Sequence, residues 1–128
     1  MEEAMATAVM GYLALARKDM ALARQCLVES AASLDALGNR QQLPACLEGL
    51  MGVAVAEERW DLAARLCGMR ERILNELGVS IAPLCPDVHD SAIAAARSAL
   101  GDTRFETGLA KGRTASLQQA IMVAASAG

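Results

Sequence analysis

Aromatic rings are almost missing from this chain. Its 128 residues hold one tyrosine, one tryptophan and one phenylalanine: Tyr12, Trp60 and Phe105. Strands favour aromatic and β-branched side chains, so this scarcity excludes an all-β fold. Proline occurs three times and only 21% of residues are charged, which excludes collagen-like and disordered chains. Histidine occurs once, at His89, and no two of the four cysteines (Cys26, Cys46, Cys67, Cys85) are spaced as CxxC. Zinc sites draw on clustered Cys and His ligands, so neither a metal site nor a cofactor is expected. The cysteines read as small buried hydrophobes of a reducing compartment.

A strong charge of either sign is lacking too. The net charge is −3, and the densest basic stretch (Arg97, Arg104, Lys111, Arg113) is interleaved with Asp102 and Glu106. Nucleic-acid binders carry a basic stripe or patch, so direct nucleic-acid binding is not expected. Long hydrophobic runs are also absent. The longest uncharged run is the fifteen residues after Arg113, and the N-terminal one is the thirteen residues between Glu3 and Arg17, against about 20 for a bilayer-spanning helix. Glu2 and Glu3 precede it, whereas a secretory signal starts with positive charge. The expectation is a cytoplasmic protein with no membrane contact.

What is abundant is alanine, about a fifth of the chain, and alanine is the best helix former. Breakers divide the sequence into about seven helices. The first two are read at about Glu2–Arg17 and Met20–Leu37, the second stopped by Gly38. Asn39, with Gln42 three residues on, is read as the cap of a third that runs to about Glu57 with Pro44 in its first turn. The fourth spans about Trp60–Leu77 and stops at Gly78. Val79–Pro86, with two prolines, reads as an extended connection. A fifth helix is read at about Asp87–Leu100. Capping boxes at Thr103/Glu106 and Ser116/Gln119 open a sixth, to about Lys111, and a seventh at about Leu117–Ala125. The third helix is apolar nearly all round (Leu47, Leu50, Met51, Val53, Ala54, Val55), which places it centrally. The first is nearly as apolar, through Met5, Val9, Met10, Tyr12, Leu13 and Leu15, yet lies at the chain end, so its outer face needs a cover.

Sliding the chain against itself by 41 residues aligns Gly11–Leu15 with Gly52–Ala56, and Ala23-Arg24-Gln25-Cys26 with Ala64-Arg65-Leu66-Cys67. Each copy reads helix, tight turn, helix. The small residues Gly11, Ala23, Gly52 and Ala64 would let paired helices approach closely. This is the pattern of a helical solenoid, whose units bury their faces against neighbours. A generic helical bundle in Ala-rich sequence is the other reading. The organisation expected is one continuous domain, two helix pairs over 1–78 and a connecting loop with a helical cap over 79–128.

The stretch Cys46–Gly78 (CLEGLMGVAVAEERWDLAARLCGMRERILNELG) resembles the helical pair near the C-terminal side of the tetratricopeptide-like sensor region of bacterial LuxR-type regulators and related multidomain signal-transduction ATPases. Ala99–Ile121 is similar to the region after that pair, through Leu100-Gly101, Phe105, Gly112-Arg113 and Ser116-Leu117. The resemblance covers about 80 of the 128 residues. It implies an all-α, right-handed tetratricopeptide-like array that receives a ligand or partner protein in a transcriptional regulator. No GxxxxGK[ST] loop is present and no helix-turn-helix comes after Ile121, so the ATPase and DNA-binding parts of that family are missing from this sequence.

Such arrays bind along the surface lined by the first helix of each pair. On the 41-residue alignment, Met5, Tyr12 and Leu15 would face that groove from the first pair, and Val53, Ala56 and Glu57 from the second. Tyr12 stands out because aromatics concentrate binding energy; the alternative is a core ring with its hydroxyl at the rim. Trp60 reads as the plug of a helix-pair end. Arg70-Glu71-Arg72 reads as a solvated face supported by Arg72 and Glu76, and Arg113 as either exposed or bonded to helix-end carbonyls. His89 lies near Asp87 and Asp90, but no nucleophile accompanies them, so no catalytic residue is assigned and no enzyme activity is expected. The apolar first helix points to a protein partner or to self-association as a homodimer, and a small-molecule effector is a further option. Two other functions fit the residues: a stand-alone oligomerisation or adaptor domain, and a bundle enclosing a small apolar ligand.

Overall fold

The computed structural model describes residues 2–78, 83 and 86–125. They form α1 (Glu2–Ala16), α2 (Met20–Ala36), a 3-10 turn (Arg40–Gln42), α3 (Leu43–Ala56), α4 (Trp60–Leu77), α5 (Pro86–Leu100), α6 (Asp102–Thr114) and α7 (Leu117–Ala125), with no strand among the described residues. The all-helical class expected from the alanine excess is what forms. Most of the Val79–Pro86 connection, Cys85 included, and the tail after Ala125 lie outside the described residues.

Local chemistry sets the helix ends. Asp19 caps α2 by accepting from the Leu22 N–H, and α4 stops at Gly78 in the left-handed region. The Ser116 hydroxyl accepts from the Gln119 N–H at 3.1 Å, as its capping pattern predicts. Two expected caps are corrected. Asn39 precedes the 3-10 turn, and α3 begins only at Leu43, with Pro44 in its first turn. Thr103 does not cap α6, because Gly101 (φ 81°) turns the chain sharply enough for the helix to start at Asp102. Thr103 is then inside the first turn, where its carbonyl accepts from the Thr107 hydroxyl. At its other end α6 runs on to Thr114, past the expected stop at Lys111.

α3 is central, as its apolar circumference requires. It touches α1, α2, α4 and α5, while α4 touches α3, α5, α6 and α7. The last helix folds back against α2 and α4. Leu27, Leu34, Leu47, Leu50, Leu66, Met69, Ile73 and Phe105 are among the largest fully buried side chains. Phe105 is the only buried ring among the three aromatics.

The two helix pairs share one turn. In the first, the N–H groups of Arg17, Lys18 and Asp19 donate to the carbonyls of Leu13, Leu15 and Ala14. In the second, those of Glu57, Glu58 and Arg59 donate to Val53, Val55 and Ala54. Lys18 and Glu58 both adopt positive φ, 64° and 58°. The structural register between the pairs is therefore 40 residues, which corrects the 41 drawn from matching identities. Gly11 and Gly52 are consequently not equivalent. Gly11 lies under Leu27 and Cys26 of α2, whereas Gly52 lies under Leu15 of α1 and Val88 of α5. Ala64 lies against Gly108 of α6.

The tightest crossing is between α4 and α6. A Cβ placed on Gly68 would stand 2.1 Å from the Leu109 carbonyl oxygen, and one on Gly112 2.0 Å from that of Arg65. These backbones touch directly, so only glycine fits at either position.

Candidate interaction surface

The α1 helix divides its residues by size. Ala4, Ala8, Gly11 and Ala14 turn inward and are buried. Glu3, Ala6, Val9, Met10, Leu13, Ala16 and Arg17 are exposed. Glu3, Ala6, Met10, Leu13 and Arg17 succeed one another at steps of three and four, which puts them on one helical stripe. Val9, Met10 and Leu13 are each more than half exposed. Leu22 at the start of α2 extends the apolar surface, and a hollow of about 420 Å³ lined by Met10, Leu13, Ala14, Arg17, Asp19 and Leu22 opens beside it. Burying large side chains is what normally stabilises a surface helix, at roughly 1.5–3 kcal/mol each. Here the fully buried residues are small, Tyr12 and Leu15 are only partly covered, and Val9, Met10 and Leu13 face solvent.

The six groove residues do not gather on one surface. The Tyr12 hydroxyl donates to the Ala45 carbonyl at 2.7 Å, and its ring lies against Gly49. Leu15 and Val88 of α5 both stand over Gly52, so side chains close over the middle of α3. Met5 is half-buried on the same helix as Tyr12. Val53 belongs to the core at 3% exposure, and Ala56 is exposed at the end of α3. Glu57 turns toward α2, where its carboxylate accepts from Arg24. Tyr12 and Leu15 thus come together over α3, while Val53 and Glu57 lie elsewhere.

One reading of the charged residues requires correction. Arg70 is not on a solvated face: it is 7% exposed and pairs with Glu48 of α3, which is 2% exposed, at 3.6 Å. The helical stripe of α4 is wide enough to carry Arg70 inward with Ile73 and Met69, and Glu48 is there to meet it. Arg113 is exposed, the first of its two readings, and among the described residues it bonds no helix-end carbonyl. It pairs with Glu71 at 2.7 Å, and Arg72 takes the carbonyl role by donating to Arg113 and Ala115. The expected Arg72–Glu76 pair is present but long, at 4.0 Å. Glu48 carried no signal in the sequence, because a single acid in an apolar helix gives no sign of its partner.

Cys26, Cys46 and Cys67 are buried free thiols. The Cys46 thiol donates to the Ser30 hydroxyl at 3.3 Å, which donates to the Ala4 carbonyl at 2.6 Å. This chain of bonds links α3, α2 and α1. Burial pushes all three thiols upward, Cys67 to about 11, so each is held as an unreactive thiol. His89 pairs with its neighbour Asp90, at 3.2 Å. Trp60, half-buried, opens α4 beside a hollow of about 350 Å³ shared with Arg59, Arg104 and Val123. Among the described residues, no three His, Cys, Asp or Glu side chains cluster in a way that could hold a metal, and no helix is long and apolar enough to cross a membrane.

No family model, curated protein or solved structure matches this chain.

Proposed function

We propose that this chain is a non-enzymatic helical interaction module, a sensing or scaffolding segment of a bacterial transcriptional regulator built as a tetratricopeptide-like array in the cytoplasm. The observation that carries the reading is the exposed stripe of α1, which keeps Val9, Met10 and Leu13 in water. Exposed apolar surface of this kind marks a docking site. The contact pattern supports the array: α3 meets both α1 and α5, and α4 meets α6, as helix pairs stacked in sequence order would. The partner is a protein, or a second copy of the chain, docking on α1. An effector that bound the helix pairs would act by stabilising one curvature of the array.

A double substitution separates docking from folding. Met10→Lys with Leu13→Lys removes the apolar stripe without touching the core, so the stability change should stay within about 0.5 kcal/mol per site. Thermal unfolding followed by circular dichroism measures it. A collapse of the folded state would mean that the stripe serves the fold, and would refute the docking role.

A further inference from the structure

We propose that the exposed stripe of α1 binds the same stripe of a second copy of this chain, the two helices antiparallel across a twofold axis beside Met10. The inference rests on the docking role of α1 and names its occupant. Its ground is the charge arrangement. The stripe begins at Glu3 and ends at Arg17, both exposed, fourteen residues or about 21 Å apart on a helix. Neither side chain has an ion-pair partner among the described residues, whereas most other arginines do: Arg24, Arg40, Arg70, Arg97, Arg104 and Arg113 are all paired with carboxylates. A parallel pair of stripes would set Glu3 on Glu3 and Arg17 on Arg17. The antiparallel pair sets Glu3 of each copy on Arg17 of the other, so both ends attract.

The shape agrees with the charge. About an axis beside Met10, the small Ala6 lies opposite the large Leu13 of the second copy, and this happens twice by symmetry. The two Met10 side chains meet at the centre, where a flexible thioether fills irregular space. The hollow between Met10, Leu13 and Leu22 receives a side chain from the opposing helix. The stripe is one short helix wide, well under the roughly 800 Å² per partner of a standard stable interface. The association is therefore weak and reversible, set by concentration.

Charge reversal tests the orientation. In the antiparallel pair, Glu3→Arg sets arginine against arginine at both ends, and Arg17→Glu sets glutamate against glutamate. Sedimentation equilibrium of the full chain should show native self-association, weakened about tenfold in each single variant. An equimolar mixture of the two variants should associate more strongly than either alone, because the mixed pair sets an arginine against a glutamate at both ends; a parallel pair would do the same, so the variant that decides the orientation is the double one. Glu3→Arg with Arg17→Glu in the same chain restores an opposite-charge pair at each end, and its self-association should return to native strength. Circular dichroism confirms that all variants fold. A double variant no stronger than the single ones overturns the antiparallel pair. A native chain that stays monomeric at every concentration overturns self-association; if Met10→Lys/Leu13→Lys still folds normally, the docking role stands with a different protein as occupant.

Discussion

Two helices of this protein are rich in small residues and use them in opposite ways. α6 sets Gly108 and Gly112 in close contact with α4, buries Phe105 and Leu109 beside them, and exposes Arg104, Glu106, Thr107 and Lys111. α1 buries Ala4, Ala8, Gly11 and Ala14, with Gly11 close against α2, but sends Val9, Met10 and Leu13 outward. Close approach is common to both crossings. What differs is where the large side chains go. α6 is a finished surface helix, and α1 is finished only when something covers it.

Filling the glycines tests this contrast most severely. Gly112→Leu places atoms where the Arg65 carbonyl stands, and rigid backbone cannot yield. The expected loss exceeds about 4 kcal/mol, measured as disappearance of a cooperative thermal transition. Gly11→Ala meets the end of the Leu27 side chain at 2.7 Å, which can turn aside. Its expected cost is about 1–2 kcal/mol. Equal costs would show that the α1–α2 and α4–α6 crossings are equally rigid.

Next in size is Arg70→Met. It removes the ion-pair partner of Glu48, a carboxylate buried between α3 and α4, at an expected cost of about 3 kcal/mol in urea unfolding. The effect should be far larger than that of Arg17→Met on the exposed stripe, which belongs within about 0.5 kcal/mol.

Cys67 gives a pH dependence. Burial raises the folded thiol from an ordinary 9.0 to about 11. A group whose folded pKa is raised contributes stability that is fully present below its unfolded pKa. Its contribution is therefore intact at about pH 8 and lost as pH rises through 9.0 toward about 11. Melting temperature should fall across that window, and fall less in Cys67→Ala. A cost of about 1 kcal/mol is expected for Tyr12→Phe, which removes the hydroxyl donor to the Ala45 carbonyl, read from the shift in denaturation midpoint.

Much of the helix map could be read from residues one at a time. Gly38 and Gly78 stop helices, Ser116 caps one, and the apolar circumference of α3 puts it in the middle. These signals act within a few residues, so sequence carries them. The register between helix pairs did not follow. Matching Gly11 with Gly52 and Cys26 with Cys67 selects 41 residues, but the turn hydrogen bonds at Lys18 and Glu58 set 40. In an alanine-rich chain, identity at small residues recurs by chance one position away. The α4–α6 contact was equally illegible, because Gly68 and Gly112 become informative only once their helices are known to cross. For the same reason Arg70 reads as solvated and Glu48 gives no signal: a buried ion pair joins two helices, and each half alone resembles a surface charge. That α1 keeps an apolar outer face was legible, because its excess of large apolar residues is local; which residues form that face was not, since Met5, Tyr12 and Leu15, expected to bind, are half-buried and Val9, Met10 and Leu13 are exposed.

Self-association through that stripe is tested most directly by amide chemical shifts recorded as a function of protein concentration. The shifts that move with concentration should cluster at Glu3, Ala6, Val9, Met10, Leu13 and Arg17, while those at Gly68, Gly108 and Gly112 hold still. Shifts that do not move at all, or that move only away from α1, would contradict it.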